Sequence, residues 1–61
     1  MNTLPRFAKE FAQYRKKAIL NNDLMQEQYK QETIARIDSA LEFLQVGLMT
    51  TCEAMREIAA C

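Results

Sequence analysis

The residues whose types and spacing could do chemistry are few, and the carboxylates come first. Asp38 and Glu42, and likewise Glu53 and Glu57, stand four positions apart. On a helix that spacing puts both members of a pair on one face, one turn apart, where two carboxylates can share a proton or a metal ion. Metal-binding helical bundles add a histidine to such glutamates, and this chain has no histidine. It also lacks a CxxC spacing and an acidic calcium loop, so the donor sets of closed zinc and calcium sites are missing. The acidic pairs read as solvated and mildly repulsive, and neither a metal nor a cofactor is expected.

Cys52 and Cys61 are the only thiols. With no histidine to act as a base, Cys52 reads as a small packing residue and not a nucleophile. Nine positions separate the two along the chain, about 13.5 Å of helical rise with the side chains half a turn out of phase, so they cannot bridge within one helix. Cys61 is the last residue and is open to an adventitious intermolecular disulfide. The poverty of catalytic donors points away from an enzyme.

Binding chemistry is better represented. Arg6, Lys9, Lys16 and Lys17 surround Gln13 on one side of the N-terminal segment, and clustered cations on a helix can follow a phosphate backbone, which makes them candidate nucleic-acid contacts. The favoured reading is a solvated face, because eight basic residues are balanced by eight acidic ones over the 61-residue chain. Phe7, Phe11 and Tyr14 could stack on single-stranded bases, or dip into a lipid surface with lysines at the headgroups. Their spacing of four and three instead favours a helix-helix core.

One glycine, one proline and 8% aromatic content leave too little for turns and sheets, so the expected class is all-α. Thr3 is the expected N-cap of a first helix over about 4–20, with Pro5 in the first turn, where its missing amide hydrogen has no intrahelical partner anyway. Leu4, Phe7, Phe11, Tyr14 and Ala18 form its stripe, widened by Ala8, Ala12 and Ile19. Asn21, Asn22 and Asp23 read as the turn, with Asp23 and Gln26 spaced as a capping box. A second helix is expected over about 24–60.

That second helix carries Ile34, Ile37, Leu41, Leu44, Leu48, Thr51, Met55 and Ile58 at alternating spacings of three and four, a heptad seam. Gly47 is the local conflict, costing about 1 kcal/mol inside a helix. Thr50 and Glu53 beyond it are spaced as a second capping box, so a break into a third short helix competes with one continuous rod. Continuity is favoured because the heptad phase passes through Gly47, which also aligns with Ala40 and Ala54 for close helix approach.

Phe43 and Val46 form a second apolar face beside the seam, and one short neighbouring helix cannot cover both. A domain of this size also holds little stability in reserve. Together these imply an antiparallel hairpin that pairs as a homodimeric helical bundle through Ile34, Ile37, Leu41, Leu44, Leu48, Met55 and Ile58. Residues 1–20 carry five basic groups against Glu10, and residues 21–61 carry three against seven acidic ones, so the halves attract. The expected function is a small non-enzymatic interaction or regulatory protein, with nucleic-acid binding as the alternative. No apolar stretch reaches the length of a membrane span, and free thiols without a signal-type apolar leader point to the cytoplasm.

Overall fold

Three helices, and no strand, make up the described part of the chain. The computed structural model describes residues 4–61, so the expected Thr3 cap lies outside the described residues. Helix α1 spans Arg6–Leu20, α2 spans Glu27–Val46 and α3 spans Thr51–Ala60. Pro5 is itself the N-cap of α1, extended at φ −60° and ψ 139°, and its carbonyl accepts from the amides of Ala8 and Lys9.

The link between α1 and α2 is longer than the expected three-residue turn. Asn22 organises it: its side-chain oxygen accepts from the Leu24 amide at 3.0 Å, and its carbonyl from the Met25 amide at 3.3 Å. These local bonds hold residues 21–26 out of the helix, so α2 begins at Glu27 with Gln26 as an N-cap that makes no side-chain cap bond. The Asp23–Gln26 capping box and the start at residue 24 are therefore corrected.

The continuous second helix is also corrected. Gly47 adopts φ 87°, the left-handed region that is cheap only for glycine. Its amide donates to the Leu44 carbonyl at 3.2 Å and the Leu48 amide to the Phe43 carbonyl at 2.8 Å, the paired bonds of a Schellman stop. Thr50 then starts α3 with a complete capping box: the Glu53 amide donates to Thr50 Oγ1 at 3.2 Å, and the Thr50 amide to Glu53 Oε1 at 3.1 Å. Stop and start signals three residues apart outweigh the heptad phase, because each satisfies backbone groups that a helix end exposes.

Folding α3 back gives a three-helix bundle, 37 × 17 × 16 Å, in place of a two-helix hairpin. Its core is narrow. Ala12, Ile19, Ile37, Ala40 and Ile58 form one buried cluster; Ala8, Leu44 and Ala54 form another. Half of these eight residues are alanines, which let the backbones approach closely but remove little apolar area. Arg15 donates from Nη2 to the Cys61 carbonyl at 2.7 Å and so ties the last turn of α3 to α1, while its Nε is buried without a partner.

Thr50→Ala should destabilise the fold by about 1 kcal/mol, the usual cost of a lost N-cap, and Gly47→Ala by about 1–2 kcal/mol, the cost of a Cβ in the left-handed region. Urea unfolding followed by circular dichroism reads both. The Glu53 carboxylate is held below its ordinary pKa by the Thr50 backbone amide and then by the Thr50 hydroxyl. A depressed folded pKa gives stability that is present above the unfolded value and lost as the pH falls through the folded one. Acid unfolding of Thr50→Ala should therefore show a weaker pH dependence below about pH 4.3 than that of the parent chain.

Candidate interaction surfaces

The packing of α1 decides what is left for function. On a 3.6-residue helix, Ala8, Ala12 and Ile19 point to the core, with Lys16 towards α2 on one side and Phe11 and Arg15 towards α3 on the other. Phe7 and Tyr14 fall beyond Phe11 on that α3 side and are 56% and 69% exposed. The helix-helix core expected from Phe7, Phe11 and Tyr14 is thus corrected: Phe11 is half-buried and the other two lie outside. Alanines face inward because α2 and α3 both crowd α1, and a large ring there would force the helices apart.

The heptad seam is divided in the same way. Ile37, Leu44 and Ile58 are buried within the chain, Ile34, Leu41 and Met55 are half-buried, and Leu48 is 74% exposed in the link after Gly47. Residues packed inside one chain have no face left for a second copy, so of the seam only Ile34, Leu41, Leu48 and Met55 keep open surface. The second apolar face keeps its exposure, with Phe43 at 43% and Val46 more open still. All five aromatic residues lie outside the buried core, and only Phe11 among them is not classed as exposed.

Phe43 forms one wall of an open groove between α2 and α3, about 220 Å³ in volume. Its floor is Ala35 and Ser39, small residues one turn apart, with Ala40 next to Ser39, and Met49 lines it further. The Arg36–Glu57 ion pair, 2.9 Å between Nη2 and Oε1, stands at its edge. The hydrogen bond that Arg36 donates to Glu57, followed by the negative charges at Cys61 and on Glu57, raises the Arg36 pKa above its ordinary value. The groove is below the roughly 300 Å³ at which small-molecule sites begin; it has room for one large side chain. Nothing in the sequence spacing singled it out, because its floor is formed by the absence of side-chain bulk on α2 and its far edge by α3.

The charged candidates are distributed unevenly. Arg6 pairs with Glu10 at 3.1 Å, Lys16 pairs with Asp38 of α2, and Lys9 and Lys17 are exposed without an ion pair among the described residues. Of the acidic pairs, Asp38 faces Lys16, Glu53 caps α3 and Glu57 faces Arg36. No group of three or more potential metal ligands occurs among the described residues, and none of their helices is long and apolar enough to cross a membrane. Cys52 is exposed and Cys61 half-buried, both as free thiols; Cys61 Sγ donates to the Glu57 carbonyl at 3.3 Å.

Comparison with protein-family models, with curated proteins and with solved structures gives no match.

The assignment of faces on α1 has a direct test at sub-micromolar concentration. Ala12→Leu should overpack the core and cost about 1–3 kcal/mol, whereas Phe7→Ala should change stability by no more than about 0.5 kcal/mol. The reverse ranking in chemical unfolding would put the aromatic stripe back in the core.

Proposed function

We propose that this chain is a non-enzymatic interaction or regulatory protein that acts through self-association and contacts with other proteins. One observation carries the reading: the aromatic rings and several large aliphatic side chains are outside, while half of the buried core is alanine. Each Leu or Phe left in water forgoes about 1.5–3 kcal/mol of burial, and Phe7, Leu20, Leu24, Phe43, Val46 and Leu48 are all exposed. The accessible surface, 4564 Å², exceeds the roughly 4,100 Å² typical of a monomer of this mass. Exposed aromatic residues are the usual anchors of protein interfaces.

Three of the four paired carboxylates, Asp38, Glu53 and Glu57, already serve as a cap or as ion-pair partners, which leaves little for an enzymatic reading to use. Free thiols favour a reducing compartment such as the cytoplasm. Double substitution Phe7→Ser with Tyr14→Ser should remove the chain's contacts with its partner, whether another copy or a different protein, while helical content stays the same. Photo-crosslinking from position 7 in the native host, with and without Tyr14→Ser, measures this. Recovery of no protein crosslinked to the flank would end the interaction reading.

A second reading is favoured by one feature, the placement of exposed Tyr14 one turn from exposed Lys17 on α1. Aromatic rings interleaved with cations suit single-stranded nucleic acid. It ranks lower because Arg6 and Lys16 are engaged in ion pairs within the chain and the net charge is zero. Binding of mixed-sequence single-stranded RNA at low salt, with a salt dependence flattened by Lys9→Gln and Lys17→Gln, is its expected signature. No binding under those conditions removes it.

A further inference from the structure

We infer that two copies of this chain pair through the outer face shared by α1 and α3, about a two-fold axis that lies between the two faces and runs parallel to the helices. Each α1 then packs on α3 of the other copy. The inference rests on the interaction reading above and gives its self-association a site.

Helical phase locates the face. At about 100° per residue, Phe7, Tyr14 and Ala18 point within roughly 20° of one direction, about 120° round α1 from its buried Ala8, Ala12 and Ile19 side. In a three-helix bundle that is the direction of the outer face a helix shares with one neighbour. Phe11 and Arg15 fall between the two directions and turn towards α3, so the neighbour is α3. On α3, Cys52 and Ala59 point together about 130° from the buried Ala54 and Ile58 side, with Met55 in between. Glu57, which meets Arg36 of α2, lies on the opposite side of α3. Phe7, Tyr14, Ala18, Cys52 and Ala59 are all exposed.

Level makes the face self-complementary. The chain reverses at both links, so α1 and α3 run in the same direction. Ala8 shares a cluster with Ala54 and Ala12 with Ile58, and Arg15 reaches the Cys61 carbonyl 46 positions on, the same separation each time. Phe7 is therefore level with Cys52 and Tyr14 with Ala59, each to within one residue, about 1.5 Å. A half-turn about an axis parallel to the helices keeps every residue at its height and lays α1 over α3 of the other copy. Both rings of each α1 then land on a small residue, as close packing requires. A half-turn about an axis across the helices lays the aromatic side of α1 on itself instead.

Charge at the rim agrees. Glu10 on α1 and Arg56 on α3 stand at the two outer edges of the face and are level by the same separation of 46. Within one copy the width of the face keeps them apart; across the two-fold, Arg56 of each copy comes beside Glu10 of the other. Arg56 has no ion pair among the described residues, and the Glu10 side chain is 67% exposed although Arg6 bonds one of its oxygens. The ten residues of α3 limit the contact to about 15 Å of length. The pair thus buries less than the roughly 1,200 Å² at which stable complexes begin, and the dimer is a weak, reversible one.

Sedimentation equilibrium on the reduced full chain, followed up to millimolar concentration, tests the inference. The parent chain should form a reversible dimer. Tyr14→Ser, and Ala59→Trp, which puts bulk where the ring lands, should each raise the dimer dissociation constant about tenfold or more. Ser39→Trp in the α2–α3 groove should leave it unchanged, and the circular dichroism of every variant should match the parent. Charge reversal then tests the two-fold by a route that does not depend on blocking. Glu10→Arg and Arg56→Glu each set like charges together in their own homodimer, whereas a mixture of the two restores both ion pairs in the heterodimer. Native mass spectrometry should find the heterodimer above its random share. A control mixture of Glu42→Arg with Lys9→Glu, which changes net charge equally but off the face, should show a smaller excess. A dimer that responds to Ser39→Trp and not to Tyr14→Ser or Ala59→Trp, or a heterodimer excess no greater than the control, overturns this placement and leaves the interaction reading intact. A parent chain that stays monomeric at millimolar concentration overturns self-association altogether, and photo-crosslinking from position 7 then decides whether another protein occupies the face.

Discussion

The left-handed turn at Gly47 is the constraint on which the rest of the structure depends. At φ 87° it ends α2 with its last carbonyls satisfied by the following amides, and it reverses the chain so that α3 lies against both other helices. Without that reversal Ile58 and Ala54 would extend along a rod, far from Ile37, Ala12 and Ala8. With it they complete the two buried clusters. One residue without a Cβ thus converts a long amphipathic helix into two short ones that share a core.

The core that results is built on close approach and little bulk. Alanines at positions 8, 12, 40 and 54 are 0–1% exposed and let three helices meet at short range, while Ile19, Ile37, Leu44 and Ile58 supply most of the apolar burial. The rings have no room inside such a core, and they are displaced to its edges. The same bulk that strengthens a core in larger proteins is, in this chain, exposed surface. Arg15 belongs to this arrangement as well: its stem packs at the α1–α3 boundary while its guanidinium reaches the end of α3.

The charges follow the fold and do not direct it. Each ion pair of the described chain includes a side chain more than half exposed, a setting in which pairs contribute about 0–1 kcal/mol. They join helices that the core has already set side by side: Lys16 with Asp38 on one side of α2, Arg36 with Glu57 on the other. The electrostatic asymmetry between residues 1–20 and 21–61 is largely left over after folding, since a single ion pair joins α1 to another helix among the described residues.

The all-α class, the first helix and the signals at Thr50 and Glu53 were legible in the amino-acid sequence, because propensity, capping and period act over a few residues and are written locally. Ala8, Ala12 and Ile19 were visible as a flank of the α1 stripe, and Ala40 and Ala54 as small residues in line with Gly47. Which stripe faces inward was not legible, since Phe7, Phe11 and Tyr14 have the same period as Ala8, Ala12 and Ile19 and differ only by a rotation of the helix. Nor was the end of α2, where a heptad phase that survives Gly47 spoke for a rod and the backbone bonds of Gly47 and Thr50 spoke for a stop. Tertiary structure decided both, because the gain from folding α3 onto α1 and α2 comes from contacts distant in sequence, and only small side chains can occupy a site where three helices converge. The groove beside Phe43 belongs to the same category: the α2 surface made shallow by Ala35 and Ser39 becomes a cleft only when α3 is laid alongside.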